Sequence, residues 1–236
     1  MLKYKRILLK LSGEALMGNK GHGIDQVRLN QYAEQIKEIH SMDVEIGIVI
    51  GGGNIFRGMS GTQEGYDRIR GDYMGMLATV INGLAIQSSL EKMDVKANLF
   101  TAIPMEPVGI RFSENASIKT LQEKEVAIFT FGTGNPFFTT DTAAALRAVQ
   151  IRAEVLLKGT RVDGIYSADP EKDKNAVKYD EITFEEALEK ELQVMDLTAF
   201  TLCKENTLPL LVFNMNIPGN LKKIVTGSKI GTLVKN

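Results

Sequence analysis

Two lysines sit where apolar runs give way to small residues. Lys10 interrupts the run Lys5 to Leu11 (KRILLKL) just before Ser12 and Gly13, and Lys158 closes the run Glu154 to Lys158 (EVLLK). Two further apolar runs, Val44 to Ile50 and Val126 to Phe131, lead into Gly51-Gly52-Gly53-Asn54 and Gly132-Thr133-Gly134. Lysines supply point cations, and glycine loops let an anion approach free backbone amides. Together they suit phosphoryl transfer, which needs aligned phosphates and a neutralised charge on the moving group more than covalent help. Lys10 and Lys158 can do the neutralising, with Mg²⁺ bridging the donor phosphates. Asp141 and Asp196 can hold those lysines or the metal. Each also stands where an N-cap would, and helix capping explains both positions as well. The plain alternative for either lysine is a strand-end cation that reaches solvent along its stem.

These residues need elements to bring them together. The apolar runs are short and nearly continuous, which fits strands buried on both faces of a parallel sheet. Val95 to Thr101, Leu208 to Asn214 and Gly231 to Val234 add further strands. Helical patterns separate them: one capped by Asp25, then Asp67 to Ser89, Ser113 to Glu123, an Ala-rich helix after Thr139-Thr140-Asp141-Thr142, Phe184 to Leu188, Asp196 to Lys204 and Gly219 to Val225. The alternation predicts an α/β fold, a three-layer αβα sandwich around a mainly parallel central sheet. Val126 to Ala148 is the centre of this reading, a strand, a glycine loop and a helix N-terminus in sequence. That order serves phosphate binding and an ordinary strand–turn–helix equally well. Gly159 to Pro170 reads as a loop or hairpin turning at Asp163-Gly164. The long helix carries Gly71, Gly75, Ala78, Gly83 and Ala85, a pattern for close packing against another backbone, a partner subunit's helix among the candidates.

The chain has 236 residues and 44% hydrophobic content, and no Pro/Ser-rich linker or repeat, so one domain over 1–236 is the economical expectation. A net charge of −1 gives no reason to expect nucleic acid or an anionic membrane as partner. One cysteine and two histidines make a disulfide or a His-based metal site a poor expectation, and no protein-held metal set is read. No apolar run approaches a membrane span and no signal-peptide pattern opens the chain, so a cytoplasmic protein is expected. Gly13 to Lys20 comes near a Walker A loop, but Asn19 stands where lysine is required, and a P-loop is rejected.

A more specific resemblance rests on long motifs. Gly164-Ile165-Tyr166-Ser167-Ala168-Asp169-Pro170, after Thr160 and Asp163, resembles the nucleotide-side motif of the amino acid kinase superfamily. Lys10 to Ala15 (KLSGEA), Gly51 to Gly58 (GGGNIFRG), Gly71 to Thr79 (GDYMGMLAT), Gly132 to Asp141 (GTGNPFFTTD) and Val194 to Phe200 (VMDLTAF) resemble the bacterial uridylate (UMP) kinase family. The resemblance runs end to end. It implies reversible transfer of the ATP γ-phosphoryl group to UMP, giving UDP and ADP, in pyrimidine nucleotide biosynthesis. It implies Lys10, Leu11, Ser12, Gly13, Gly53 and Arg57 at the ATP phosphates, and Thr160, Tyr166 and Asp169 at its adenosine. Gly52, Asp72 and the loop Thr133, Gly134, Asn135, Pro136, Phe137, Phe138, Thr139 and Thr140 would hold UMP. Lys10, Lys158, Asp141 and Asp196 would form the catalytic set.

The resemblance also implies Mg²⁺ with ATP, a homohexamer, GTP as activator and UTP as inhibitor. The GTP segment would be Gly18, Asn19, Lys20, Gly21, His22 and Gly23, a looser match because the family often has an aromatic residue at His22. UTP would occupy the acceptor pocket. Two alternatives remain on the sequence: a kinase of an amino-acid carboxylate on the same fold, and a nucleotide-binding sensor or store without turnover. The first lacks a visible site for an amino acid's ammonium and carboxylate. The four intact catalytic-type residues weigh against the second.

Overall fold

The computed structural model describes residues 1–56, 65, 67–168, 170, 172–173, 175–192 and 194–236. Arg57 and Asp169, both expected at the ATP site, lie outside the described residues.

The first strand, β1 (Arg6–Leu11), shows why a parallel sheet forms. Ile7, Leu9 and Leu11 face one hydrophobic core and Leu8 faces the other, so the strand is buried on both sides. The other strands are β2 (Glu45–Ile50), β3 (Ala97–Thr101), β4 (Ile110–Arg111), β5 (Val126–Thr130), β6 (Val155–Thr160), β7 (Ile165–Tyr166), β8 (Lys178–Tyr179), β9 (Glu181–Thr183), β10 (Leu210–Asn214) and β11 (Thr232–Lys235). Nine of them make one sheet in the order β4-β3-β5-β2-β1-β6-β10-β11-β9. Every neighbouring pair is parallel except β10–β11.

Among the described residues the helices are α1 (Gly13–Leu16), α2 (Gln26–His40), α3 (Arg68–Glu91), α4 (Glu114–Gln122), α5 (Thr140–Gln150), α6 (Phe184–Glu189), α7 (Leu197–Glu205) and α8 (Asn220–Val225). Apolar residues of α2, α3 and α8 close one face of the sheet, and those of α4, α5, α6 and α7 close the other. This is the three-layer arrangement that the alternation of strand and helix predicts.

Chain order places a switch beside β1. The chain moves from β1 to β2, out to β3 and the edge strand β4, back inward to β5, and then across α5 to β6 on the other side of β1. In an open parallel sheet the ligand crevice forms outside the carboxyl ends of strands at such a point. Lys10, Gly51 to Gly53, Gly132 to Gly134 and Lys158 all lie at those ends, as the sequence suggests.

One local expectation changes. Asp163-Gly164 is not the turn of the hairpin; it precedes β7, which pairs antiparallel with β8 some twelve residues later (Ile165 with Tyr179). The Asp163 carboxylate is instead drawn back onto the hairpin, accepting from the Tyr166 hydroxyl and from Lys178. At least two of the small residues of α3 let it pack closely within its own chain. A Cβ on Gly83 would come within 2.8 Å of Leu99, and the Gly75 carbonyl would lie 2.6 Å from a Cβ on Gly52. The outward face of α3 carries Ile69, Tyr73, Leu77, Ile81 and Leu84 at helical spacing, all exposed.

Candidate active site

Lys10 and Lys158 are register partners on adjacent strands β1 and β6, so their side chains leave the sheet together. The helix α5 starts above them and lowers one carboxylate between the two. Asp141 Oδ1 lies 2.7 Å from Lys10 Nζ, and Asp141 Oδ2 lies 2.7 Å from Lys158 Nζ. Lys158 also donates to the Val194 carbonyl at 2.5 Å. One carboxylate lies directly against two ammoniums, with the Asp196 charge acting on Lys158 from farther off, and the lysine side chains retain 11% and 14% exposure through which an anion can meet them.

Burial pushes the Asp141 carboxyl up, but Lys10 and Lys158 more than offset this and hold it below the ordinary carboxylate range. Burial also pulls the Lys158 ammonium below the usual lysine range, with Lys10 adding to the fall and Asp141 opposing it. The site is thus set to gain from an arriving anion: phosphate oxygens would replace solvent that the two cations have lost.

The capping alternative separates the two aspartates. Asp141 does not cap α5; Thr139 does, accepting from the amides of Asp141 and Thr142 at 3.0 and 3.2 Å. Asp196 does cap α7, accepting from the Ala199 amide at 2.9 Å. The Asp196 carboxylate also accepts from the hydroxyls of Thr139 and Thr142, the latter at 3.0 Å to both oxygens. Asp196 therefore ties the start of α7 to the start of α5 and orients the turn that carries Asp141, and its charge favours the Lys158 ammonium from farther off. Asp141 Oδ1 meets Lys10 as an ion pair and takes no further hydrogen bond, whereas the Asp196 oxygens are held by Thr139, Thr142 and the Ala199 amide. Among the described residues no group of three His, Cys, Asp or Glu side chains could hold a metal ion.

The loop between β1 and α1 brings backbone close to this centre. Gly13 packs so near the second glycine loop that an added Cβ would lie 2.6 Å from Asn54 Oδ1 and closer still to the Gly51 carbonyl. Leu11 contributes backbone alone: its side chain is in the core and its carbonyl accepts from the Gly51 amide at 3.0 Å. Gly51 is held in turn by Asn82 of α3, whose amide donates to its carbonyl at 2.7 Å. Asn54 and Asn82 exchange two buried hydrogen bonds, at 3.0 and 2.7 Å. Neither asparagine stands out in the sequence, because the pair is 28 residues apart and only the fold joins it.

Two adjoining cavities open beside the lysines. One of about 640 Å³ is lined by Lys158, Thr160, Gly164, Tyr166, Ser167 and Val194. The other, of about 420 Å³, is lined by Lys10, Ser12, Gly18, Lys158, Thr160 and Arg161. Lys158 and Thr160 belong to both. Tyr166 is half-buried, and its hydroxyl donates to Asp163, which raises the pKa of the phenol.

On the opposite side of Lys10 lies the loop from Thr133 to Thr140. Asp72, on α3, receives the Phe137 amide at 2.8 Å and the Arg68 guanidinium at 2.9 Å on the same oxygen. Asp72 thus fastens the loop to α3. Thr133 turns its hydroxyl onto Asn135, donating to its carbonyl and accepting from its amide at 3.2 Å each. Phe137 and Phe138 are 63% and 50% exposed, which is unusual for phenylalanine and leaves two aromatic faces at the mouth of the site.

The segment 18–23 is joined to this machinery at its end. The Gly23 amide donates to the Asn54 carbonyl at 2.7 Å, and the Asn54 side chain donates to the Gly23 carbonyl at 2.9 Å. Gly18 lines the smaller cavity, whereas Gly21 and His22 are exposed and away from the lysines.

Residues 5–214 match the amino acid kinase family. The uridylate kinase of Phocaeicola vulgatus is 61% identical over 236 residues, covering the whole of both chains. Among solved structures, the UMP kinase of Bacillus anthracis superposes with a TM-score of 0.96 at 35% identity, over 98% of this chain and 96% of that one. The UMP kinase of Ureaplasma parvum superposes with a TM-score of 0.93 at 40% identity over the full length of both.

Proposed function

The chain belongs to the amino acid kinase family, and from that premise we propose how it performs the reaction of the uridylate kinases it resembles. It transfers the γ-phosphoryl group of ATP to UMP, giving UDP and ADP. ATP enters as its Mg²⁺ complex, in which the metal would neutralise phosphate charge beside Lys10, Lys158 and Asp141. The adenosine fills the larger cavity against Thr160 and Tyr166. The phosphates run past Lys158 to Lys10, Ser12 and Gly13. UMP lies across Lys10 on Gly52, Asp72 and the 133–140 loop.

The observation that carries this reading is the single carboxylate of Asp141 between two lysines, 2.7 Å from each, at the junction of a nucleotide-sized cavity and a polar loop. The two ammoniums sit where a phosphoryl group in flight would pass. An oxygen of the UMP phosphate attacks the γ-phosphorus as the bond to the β–γ bridging oxygen breaks, and ADP leaves. Lys10 and Lys158 meet the charge that moves onto the transferred group and the leaving oxygen. Asp141 keeps both ammoniums aimed, and Asp196 keeps Asp141 aimed. A coupled assay of ADP formation with UMP, CMP, dTMP, glutamate and aspartate tests the acceptor. UMP should be strongly preferred, because polar groups built to pair with one base edge are left unpaired by another. Equal rates with UMP and CMP would sink the reading, and turnover of an amino acid would replace it.

Three further features follow as proposals. The continuous nine-stranded sheet supports one domain over 1–236. The protein works as a homohexamer, and the exposed apolar face of α3 supports a contact between copies there. GTP activates through Gly18 to Gly23 and UTP inhibits from the acceptor pocket; the hydrogen bonds from Gly23 to Asn54 offer a physical link to the glycine loop. GTP titrations with and without UMP test the coupling, because an effector that shifts UMP affinity must itself be shifted equally. No described helix is long and apolar enough to cross a membrane, which suits the proposed cytoplasmic location.

A further inference from the structure

Arg147 is a buried cation that the transfer reaction does not obviously use. It lies on the inner side of α5, and only 5% of the residue is exposed. No carboxylate among the described residues pairs with it. Burial alone pulls its guanidinium down to about 10, still well above neutral pH, so it stays charged. An unpaired buried charge costs several kcal/mol of lost hydration, on the order of what an apolar residue would avoid entirely. Its surroundings show what it does. The guanidinium lies 3.8 Å from the Phe112 ring centre, donates to Gln150 Oε1 at 2.7 Å, and reaches the Gly132 carbonyl at 3.4 Å.

That carbonyl belongs to an unusual turn. β5 ends at Thr130, and the next two residues, Phe131 and Gly132, have φ of +62° and +56°. A left-handed conformation is ordinary for glycine but costs a bulky residue such as phenylalanine about 1–2 kcal/mol. Something must hold it. The Phe131 amide donates to the Thr79 hydroxyl at 2.8 Å, and the Phe131 carbonyl accepts from Gly134 at 3.0 Å. Arg147 takes the remaining carbonyl of the turn, and Phe112 fixes the plane of its fork. Phe112 packs edge-on against Phe129 of β5, the strand that feeds the turn.

We propose that Arg147 is a positioning residue for the acceptor: it clamps the left-handed turn at Phe131-Gly132 and so sets where the 133–140 loop meets UMP. The inference rests on the reading that this loop holds UMP. Arg147 touches neither substrate. Its loss loosens the loop and weakens the acceptor's binding more than the chemistry or the donor's binding.

The test is steady-state kinetics on the intact enzyme for Arg147→Met, Arg147→Lys and Gly134→Ala, with thermal melting of each. A charged hydrogen bond of this kind corresponds to a change in UMP affinity of about tenfold. Arg147→Met should raise KM for UMP by about that factor, with KM for ATP within about twofold and kcat less affected. Arg147→Lys keeps the charge but loses the planar fork, so it should recover only part of the loss. Should Arg147→Met fail to fold, the lysine variant carries the same comparison. An unchanged KM for UMP, or equal rises in both KM values, overturns the proposal. Gly134→Ala perturbs the loop directly at φ +85°. If it raises KM for UMP while Arg147→Met does not, the clamp is wrong and the loop reading stands. If neither does, the loop reading itself falls.

Discussion

Replacing Asp141 with asparagine removes one negative charge and almost no volume. In the structure that charge lies 2.7 Å from each of two ammoniums, all three side chains being largely buried. Removing one partner of a buried pair leaves an uncompensated charge and costs roughly 3–5 kcal/mol. The remaining solvent access argues for the lower end, about 3 kcal/mol. The two lysines would then face each other across a neutral amide. At an effective dielectric of about 20, unit charges about 4 Å apart repel by about 4 kcal/mol and those farther apart by less, so a repulsion on the order of a few kcal/mol is expected. Lys158, already below the ordinary lysine range through burial, relieves that strain by giving up its proton more readily. That repulsion pulls its titration down further. Three outcomes are expected of Asp141→Asn. The melting temperature falls by about 6–12 °C for a chain of this size. The alkaline limb of the kcat–pH profile moves to lower pH. Saturating MgATP restores part of the lost melting temperature, because its phosphates return negative charge to the lysines. Differential scanning calorimetry and a coupled ADP assay across pH measure all three. A melting temperature within about 2 °C of the parent, with an unmoved alkaline limb, would refute the electrostatic role given to Asp141.

The other expectations are simpler. Lys10→Met should lower kcat by about 10²–10³ while sparing UMP affinity, read by coupled assay and calorimetry on the same folded protein; a normal kcat would return Lys10 to a solvated strand end. Because the folded pKa of Lys158 lies below its unfolded 10.5, the unfolded chain binds the extra proton in that window, and stability from this group rises with pH there. ATP phosphates should reverse the shift, so ATP binding at alkaline pH should take up protons; calorimetry in buffers of differing ionisation enthalpy detects this, and zero uptake at every pH counts against contact between the phosphates and Lys158. The sign is opposite at low pH. Asp141 is held below 3.8, so its stabilisation is present above that value and is lost as pH falls through its folded pKa, which acid titration of melting temperatures with Asp141→Asn as control would show. Ile81→Glu places a charge in the exposed face of α3, and sedimentation should show smaller species than the parent; an unchanged assembly would remove this face from the interface.

The parts of the site that were legible in the sequence are those marked by local contrast. A lysine or a glycine cluster closing an apolar run announces a strand end, so Lys10, Lys158 and both glycine loops could be placed on one edge before any coordinates. The division of labour between the aspartates could not. Thr139, Thr140, Asp141 and Thr142 are all cap-type residues, and only the φ/ψ of the chain makes Thr139 the cap and frees Asp141 for the lysines. Asn54 with Asn82, and Arg147 with Gly132, are joined across loops by tertiary packing, and their residue types are ordinary at those positions. An arginine in an alanine-rich helix reads as a solvated charge until the sheet buries it. β4 and the strands β7 to β9 have only two or three residues each, too short for any periodicity to register.

On the proposed placement of the nucleotides, a single helix would join donor and acceptor. Asp141, in the first turn of α5, sets the two lysines; Arg147, on the same helix, reaches the turn that opens the acceptor loop. Six residues of helix separate them, about 9 Å of nearly rigid rod. Transfer between two bound substrates is sensitive to placement on the scale of about 1 Å, at which rate losses reach about 10². A scaffold of separate loops would let the two halves of the site drift independently, whereas α5 moves both together. Its own position is fixed from beneath by four buried alanines, Ala143, Ala144, Ala145 and Ala148, which let the helix sit close to β1 and β2. It is fixed from the side by Asp196, which caps α7 and holds Thr139 and Thr142 with the same carboxylate. Asp196 can therefore govern the rate without touching either nucleotide, by setting the angle at which α5 presents Asp141 to the lysines and Arg147 to the loop.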